Sequence, residues 1–331
     1  MGSEIRERLL ALLIEHAGHF VSGEEISRQL GCTRTAIWKH IDELRKAGYE
    51  IEARPKAGYC LRYQPDRIAP EEIKALLSTR RFGHAIHYVE SVESTQWLAH
   101  QGVRSGAEEG ALFLADEQKQ GRGRMGRKWH SPPRSGIWMS LLLRPPIPLN
   151  LAPQLTLMAS VGVTRAIRRE TGLPVTIKWP NDLLIDGRKV CGILTELRGE
   201  QDQIHYVVLG IGVNVNTPAT SFPEDLKTIA TSLAAESGRT YRRAKLIAAI
   251  LEELEYVYDL YLSEGFETIR HSWESFACML GQSVTAHTPQ GPRQGIAKGL
   301  HASGALLLET DEGIVPVYSA DIRWYEQGLP N

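Results

Sequence analysis

Apolar residues recur at helical spacing from the start of the chain, where Ile5, Leu9, Leu12 and Leu13 predict a first helix. Ser22 before Gly23-Glu24-Glu25 predicts a second, with Glu25 three residues after the serine as in a capping box. Ile26 and Leu30 form its inward face, and Gly31 ends it. Thr33 caps a third helix that carries Ala36, Ile37, Ile41 and Leu44 and stops near Gly48. Two short helices about a glycine-containing turn are a helix-turn-helix pattern. The period then changes from helical to alternating. Residues 49–53 and 59–63 flank Arg54-Pro55-Lys56-Ala57-Gly58, a hairpin with a basic tip, or wing.

Gln64-Pro65-Asp66 and Pro70 mark a linker over 64–83, with a short helix at 71–77. Beyond His84 the pattern is mixed. Residues 87–89, 111–115, 136–143 and 206–215 read as strands, and 154–170 and 244–261 as amphipathic helices. Two short strands meet at Lys178-Trp179-Pro180-Asn181-Asp182, where Pro180 forbids a regular ladder and leaves Lys178 and Asp182 at a bend. Gly210 and Gly212 fall on one strand face and clear it for a ligand or a crossing strand. From Gln282 short strands alternate with turns at even spacing, which predicts a small β-barrel with no catalytic constellation. The expected fold class is α+β: a winged helix-turn-helix over 1–63, a mixed α/β domain over 84–277 and a small barrel over 278–331.

Composition changes this picture little. With 331 residues, 42% hydrophobic and 23% charged, the chain is an ordinary soluble one of two or three domains. A formal net charge of −1 excludes a bulk polyanion binder, so any basic function is local. Cys32, Cys60, Cys191 and Cys278 are far apart, which argues against a zinc site and a disulfide framework. No apolar run reaches membrane-spanning length and no signal peptide opens the chain, so a cytoplasmic protein without membrane association is expected.

Charge is concentrated in two places. Residues 28–62 hold eight cations against four carboxylates, a surplus of 8 − 4 = +4. In a winged helix, Thr33, Arg34 and Thr35 at the head of the third helix would meet base edges, with Lys39 further along it. Arg54 and Lys56 on the wing would meet phosphates. The same pattern also suits a three-helix interaction module with no DNA. The second concentration runs from Lys119 to Arg134, with six cations, no carboxylate and the spacing Gly121-Arg122-Gly123-Arg124-Met125-Gly126-Arg127-Lys128-Trp129. Glycine lets backbone approach a ligand, and arginine offers forked donors to carboxylate or phosphate. The G-x-G-x-x-G spacing is that of the dinucleotide fingerprint, but Ser131-Pro132-Pro133 cannot open a long helix and no βαβ unit is legible around it. A solvated basic loop and an anion-binding loop both fit the composition.

Four blocks together resemble the biotin protein ligases, of the type that is also a biotin-operon repressor. They are Gly121-Arg122-Gly123-Arg124 with Lys128-Trp129, then Lys178-Trp179-Pro180-Asn181-Asp182, then Lys189 with Gly192-Ile193-Leu194, and Gly210-Ile211-Gly212-Val213-Asn214. The resemblance spans essentially the whole chain. It implies a ligase domain similar to class II aminoacyl-tRNA synthetases and an SH3-like C-terminal barrel. It implies activation of biotin by ATP with Mg2+ to biotinyl-5′-AMP, then transfer to a lysine of a biotin carboxyl carrier protein. By the same resemblance Ser94, Thr95, Gln96, Gln118, Arg122, Gly123, Arg124, Lys189, Gly192 and Ile193 would contact biotin. Arg122, Trp129, Lys178, Asn181 and Asn214 would contact the nucleotide, and Asp182 would place Mg2+. Lys189, Arg122, Arg124 and Lys178 would carry the catalysis. The adenylate would favour a homodimer that binds operator DNA. Two departures are visible: Gln96 stands where the family often has Asn, and Met125 replaces a common arginine. A lipoate–protein ligase, or a repressor with an inactive ligase domain, are the alternatives.

Overall fold

The computed structural model describes residues 2–200 and 203–324 and divides into two compact units. The first runs to Ser78 and includes Arg242–Ala248. Its helices are α1 (Gly2–Glu15), α2 (Gly23–Leu30) and α3 (Arg34–Lys46). The hairpin β1 (Glu50–Arg54) and β2 (Gly58–Tyr63) follows, and then α4 (Pro70–Lys74). Leu9, Leu13, Ile26, Ile37, Ile41, Leu44, Ile51 and Leu61 share one buried core, so the helical and alternating patterns converge as expected. Ser22 Oγ accepts from Glu25 N at 3.0 Å, but the Glu25 carboxylate turns to Arg28 and Gln29. Only half of the expected capping box therefore forms. Gly31 ends α2 in the left-handed region, at φ 63°.

The second unit is built on a seven-stranded sheet. Its elements are β3 (Ile86–Val92), α5 (Thr95–Arg104), β4 (Leu112–Gln118), β5 (Gly136–Leu143), α6 (Ala152–Thr171), β6 (Thr176–Lys178), β7 (Asp182–Ile185), β8 (Arg188–Glu200) and β9 (Gln203–Asn214). Then come α7 (Leu233–Ser237), α8 (Arg243–Glu264), whose first turn counts with the first unit, and α9 (Phe266–Phe276). The strand order is β3-β4-β5-β9-β8-β7-β6, with β3 and β4 parallel and every other neighbour antiparallel. Two expectations change here. A βαβ unit, β3-α5-β4, does stand directly before the glycine-arginine loop. The loop still fails the dinucleotide fingerprint, because it leads into the antiparallel strand β5 and not into a helix.

The C-terminal strands are β10 (Ser283–Thr288), β11 (Gly291–Leu300), β12 (Leu306–Thr310), β13 (Gly313–Val317) and β14 (Asp321–Trp324). The expected SH3-like β-barrel is not what forms. These strands make an open antiparallel sheet in the order β13-β12-β11-β10-β14, and among the described residues no ladder joins β13 to β14. Residues 325–331 of the expected 278–331 domain lie outside the described residues. Two features pull in opposite directions, a short link that curls the sheet and an edge strand that does not favour a closing ladder. A flat five-stranded sheet would hold its edges about 19 Å apart. Four Cα steps from Val317 to Asp321 span at most about 15 Å, so the sheet curls. Pro316 on β13 has no N–H to give to a closing ladder, and proline belongs on a strand of this kind, at an edge.

Candidate active site

The site forms where the ends of β4, β7 and β8 meet the head of α5 and the face of β9. Ser94 caps α5, its Oγ accepting from Gln96 N at 3.3 Å. Thr95 gives both its backbone N–H (2.8 Å) and its hydroxyl (3.1 Å) to Gln118 Oε1. Gln96 lies over Gly210, where a Cβ would come within 3.0 Å of its amide carbon. Its Nε2 donates to Leu194 O at 3.2 Å, and its Oε1 accepts from Ser140 Oγ at 3.1 Å. The longer amide that departs from the family pattern is thus held by the sheet itself.

The glycine-arginine loop closes on its own stem. Trp129 N donates to Gly121 O at 2.8 Å, and Gly123 N to Arg127 O at 2.8 Å. The tip turns through Met125 at φ 56°, a left-handed position that costs a non-glycine residue some strain. Arg124 reaches Asn181 Oδ1 at 3.2 Å and Ser319 Oγ at 3.3 Å. Arg127 pairs with Asp321. Burial pulls the Arg124 guanidinium below its usual range, with Asp182 and Asp321 opposing that shift.

Trp129 is laid against the β9 and β8 backbones. A Cβ on Gly212 would stand 2.5 Å from its Nε1 and one on Gly192 2.9 Å from its Cζ3, so only glycine admits the indole there. Lys189 Nζ sits 5.1 Å from the centroid of the same ring, in cation–π range. It is also 2.6 Å from Asp182 Oδ1. That contact is a charge pair without hydrogen-bond alignment, so the buried Oδ1 keeps no directed donor. Burial likewise lowers Lys178, with Asp182 opposing it. Asn181 Nδ2 donates to Ile193 O at 2.9 Å, and Asn214 Nδ2 to Thr231 O at 3.0 Å.

A cavity of about 670 Å³ collects these groups. Ser94, Thr95, Gln96, Gln118, Arg122, Gly123, Arg124, Trp129, Lys178, Asn181, Asp182, Lys189, Gly192, Ile193 and Asn214 all line it. It holds eight Lys or Arg side chains against three carboxylates, Asp182, Asp186 and Asp321, a surplus of 8 − 3 = +5. Sequence reasoning missed several of its walls. Phe222, Leu226 and Ile229 come from a stretch to which the sequence assigned no site, and Asp321 and Arg323 from a region where none was expected. Ser131 and Ser140, which orient the residues at the head of α5, gave no signal in the sequence.

The residues expected to meet DNA lie in the first unit. Thr33 uses its hydroxyl as a cap, accepting from Ala36 N at 3.3 Å. Arg34, Thr35 and Lys39 are exposed on α3, and Arg54 and Lys56 on the wing. Arg54 Nε donates to Glu52 Oε1 at 2.6 Å, and its guanidinium lies 4.8 Å from the Phe20 ring centroid. Arg62 and Arg54 together hold the Glu52 carboxyl below the usual carboxylate range.

A sheet-built cavity walled by a cationic loop, in a chain that also folds a helix-turn-helix unit, suits an anion-activating ligase with a DNA-binding module, and the comparisons agree. Residues 88–214 match the biotin/lipoate A/B protein ligase family, 5–60 an HTH domain, and 279–323 the biotin protein ligase C-terminal domain. The chain is 47% identical over 323 residues to the bifunctional ligase/repressor BirA of Bacillus subtilis, covering 98% of this chain and 99% of that one. It is 32% identical to the protein of the same description from Escherichia coli, covering 95% of each. Among solved structures, a biotin protein ligase from Aquifex aeolicus in complex with biotin and ATP matches at 30% identity. Its TM-score is 0.64, over 73% of this chain and all of that one. The chain belongs to the family of bifunctional BirA-type biotin ligase/repressors.

Proposed function

We propose that each residue brought to this cavity acts in a two-step biotin ligation. The protein activates biotin with ATP to biotinyl-5′-AMP and transfers it to a lysine of a carrier protein. Its N-terminal unit binds DNA as a repressor. The observation that carries the site reading is the surplus of +5 in one cavity of a chain whose net charge is −1. A carboxylate and a triphosphate repel one another, and fixed cations in a partly desolvated site offset that repulsion while holding the reactants in contact. Lys189 takes the biotin carboxylate and then the adenylate linkage. Lys178 and Arg122 take phosphates, and Arg124 steadies the lid. Ser94, Thr95, Gln96 and Gln118 receive biotin's ureido end, with Gly123, Gly192 and Ile193 along its length. Trp129, Asn181 and Asn214 bound the nucleotide. Mg2+ fits the undirected Oδ1 of Asp182, since this ion commonly takes one or two carboxylates and completes its shell with phosphates and water. Asp182 would hold the ion, which would supply positive charge to offset that of the phosphates.

The wider organisation belongs to the same reading. The matched spans support a division into 1–63, a linker 64–83, a ligase domain 84–277 and a C-terminal domain 278–331. The carrier is a biotin carboxyl carrier protein, the DNA is an operator, and the adenylate favours a homodimer on it. Thr33, Arg34, Thr35 and Lys39 face the groove, and Arg54 and Lys56 the phosphates. No helix among the described residues is long and apolar enough to cross a membrane. The test is incubation with ATP, acceptor domain and labelled biotin or labelled lipoate. Label should pass only from biotin and only with ATP. Transfer from lipoate, or none from biotin, overturns the reading.

A further inference from the structure

A chain of buried hydrogen bonds runs from the middle of the sheet to the stem of the lid, and the reaction as described uses only part of it. It begins at Ser140 on β5, wholly buried, whose single hydroxyl proton lies between Thr95 Oγ1 at 2.9 Å and Gln96 Oε1 at 3.1 Å. The Thr95 hydroxyl donates onward to Gln118 Oε1 at 3.1 Å. Gln118 Nε2 donates to Ser131 Oγ at 2.9 Å, and the Ser131 hydroxyl to Trp129 O at 3.3 Å. From Thr95 onward every donor points the same way. The Gln118 amide can therefore stand in one orientation only. A flip would set its NH2 against the Thr95 N–H, which also donates to Oε1, at 2.8 Å.

The far end of the chain meets the lid where there is no slack. Gly121 lies under it, and a Cβ there would come within 2.5 Å of Trp129 O and 2.7 Å of Ser131 Oγ. Gln118 N also donates to Ser131 O at 3.2 Å. Ser131 is buried at 4% exposure and does not line the cavity, so it touches no substrate. A ligand oxygen that takes the donors at the head of α5 must compete with Gln118 Oε1 for them. Released on that side, Gln118 shifts its hold on Ser131, and Ser131 its hold on the carbonyl of Trp129.

We propose that Ser131 is a positioning residue that ties closure of the lid, residues 121–129, to occupancy of the head of α5, acting through Gln118. The inference rests on our reading that the ureido end of biotin sits at Ser94, Thr95 and Gln96. Its test uses the full chain and the variants Ser131→Ala, Ser131→Thr and Ser131→Cys. Three quantities are measured: biotin affinity, the rate of tryptic cleavage at Arg122, Arg124, Arg127 and Lys128 with and without biotin, and the rate at which preformed biotinyl-adenylate escapes. In the unaltered chain biotin should slow cleavage. Ser131→Ala should still bind biotin, but biotin should no longer slow cleavage, and the adenylate should escape about tenfold faster, the scale of one buried hydrogen bond. Ser131→Thr, which keeps the hydroxyl, should restore both. If the alanine variant does not fold, Ser131→Cys, with a weaker donor of similar size, should show partial loss of protection. A merely structural role would lower stability without separating biotin binding from lid protection. Full protection and unchanged adenylate retention in the alanine variant, or in the cysteine variant where alanine fails to fold, overturn the proposal. Failure of the unaltered chain to bind biotin at all would sink the site reading instead, and is distinguishable because it needs no variant.

Discussion

Two side chains, Lys189 and Trp129, are central to the chemistry we propose for the cavity. Lys189 is held between a carboxylate and an indole face, which fixes its position before any substrate arrives. Lys189→Ala should lower the rate of biotinyl-adenylate formation by about 10²–10³, the range for removal of one preorganised donor to developing charge. Single-turnover measurement checks this, and near-full adenylation in the variant would remove Lys189 from the mechanism. Trp129 depends on two glycines. Gly212→Ala would put a methyl within 2.5 Å of the indole nitrogen and displace it from β9. The KM for ATP should rise on the order of tenfold, the scale of a buried steric conflict, with biotin affinity changed far less. An equal loss for both substrates would show that the indole serves the whole pocket. Gly210 and Gly212 were legible as a cleared strand face. That Gln96 and Trp129 fill it was not, because both arrive from about 80 or more residues away in sequence.

At the scale of elements, α4 and the wing each carry a charge whose setting only packing decides. Glu72 on α4 is buried at 1% exposure, and burial pushes its carboxyl from the ordinary 4.5 up to about 7. Tyr49, Gln64, Arg242 and Arg67 face it and oppose the shift. Its folded pKa is raised, so its contribution to stability is present below pH 4.5 and is lost as pH rises to about 7. Glu72→Gln should therefore stabilise the protein at pH 8, by about 2–3 kcal/mol, with the difference vanishing near pH 4.5. Thermal unfolding of the two proteins at both pH values checks it, and a pH-independent difference would mean the carboxyl does not titrate in this window. In the wing, Glu52 accepts from both Arg54 and Arg62. Glu52→Gln should free two cations and tighten DNA binding severalfold at low salt, with a steeper salt dependence. An unchanged slope in a titration against salt would show that these arginines do not meet phosphates. The wing itself was plain in the alternation of residues 49–63. Its internal neutralisation depends on cross-strand geometry, with Glu52 opposite Cys60 and Arg62 two residues on.

At the scale of the molecule, a corepressor must bind both states of an equilibrium differently. If adenylate favours the dimer and the dimer favours operator, operator must in turn tighten adenylate retention by the same factor. Operator affinity measured with and without biotin plus ATP, across the concentrations that span dimerisation, checks this. Equal affinities throughout would separate the DNA-binding unit from the ligand. The boundary of that unit bears on any truncation. The unit itself extends to Ser78 and includes Arg242–Ala248, and Asp66 bonds to Arg243, which is buried at 1% exposure. Removal of residues 1–63 strips the buried core cluster of this unit, whose members run from Leu9 to Leu61.

Local pattern was enough to determine the helix-turn-helix, the wing, most strands and the cationic loop. Each of these depends on neighbours a few residues apart, whose periodicity and turn chemistry are written in order along the chain. The family followed from four short blocks for the same reason. Tertiary structure alone decided what distance in sequence conceals. That the C-terminal sheet is open among the described residues is one such outcome, because no pattern within the five strands records whether the two edges exchange hydrogen bonds. Asp321 comes to face Arg127 across 194 residues and joins the wall of the cavity. Ser131 and Ser140 look like any other serines until the fold sets them on either side of Thr95 and Gln118, with the Ser140 hydroxyl between Thr95 Oγ1 and Gln96 Oε1 and that of Ser131 against the Trp129 carbonyl.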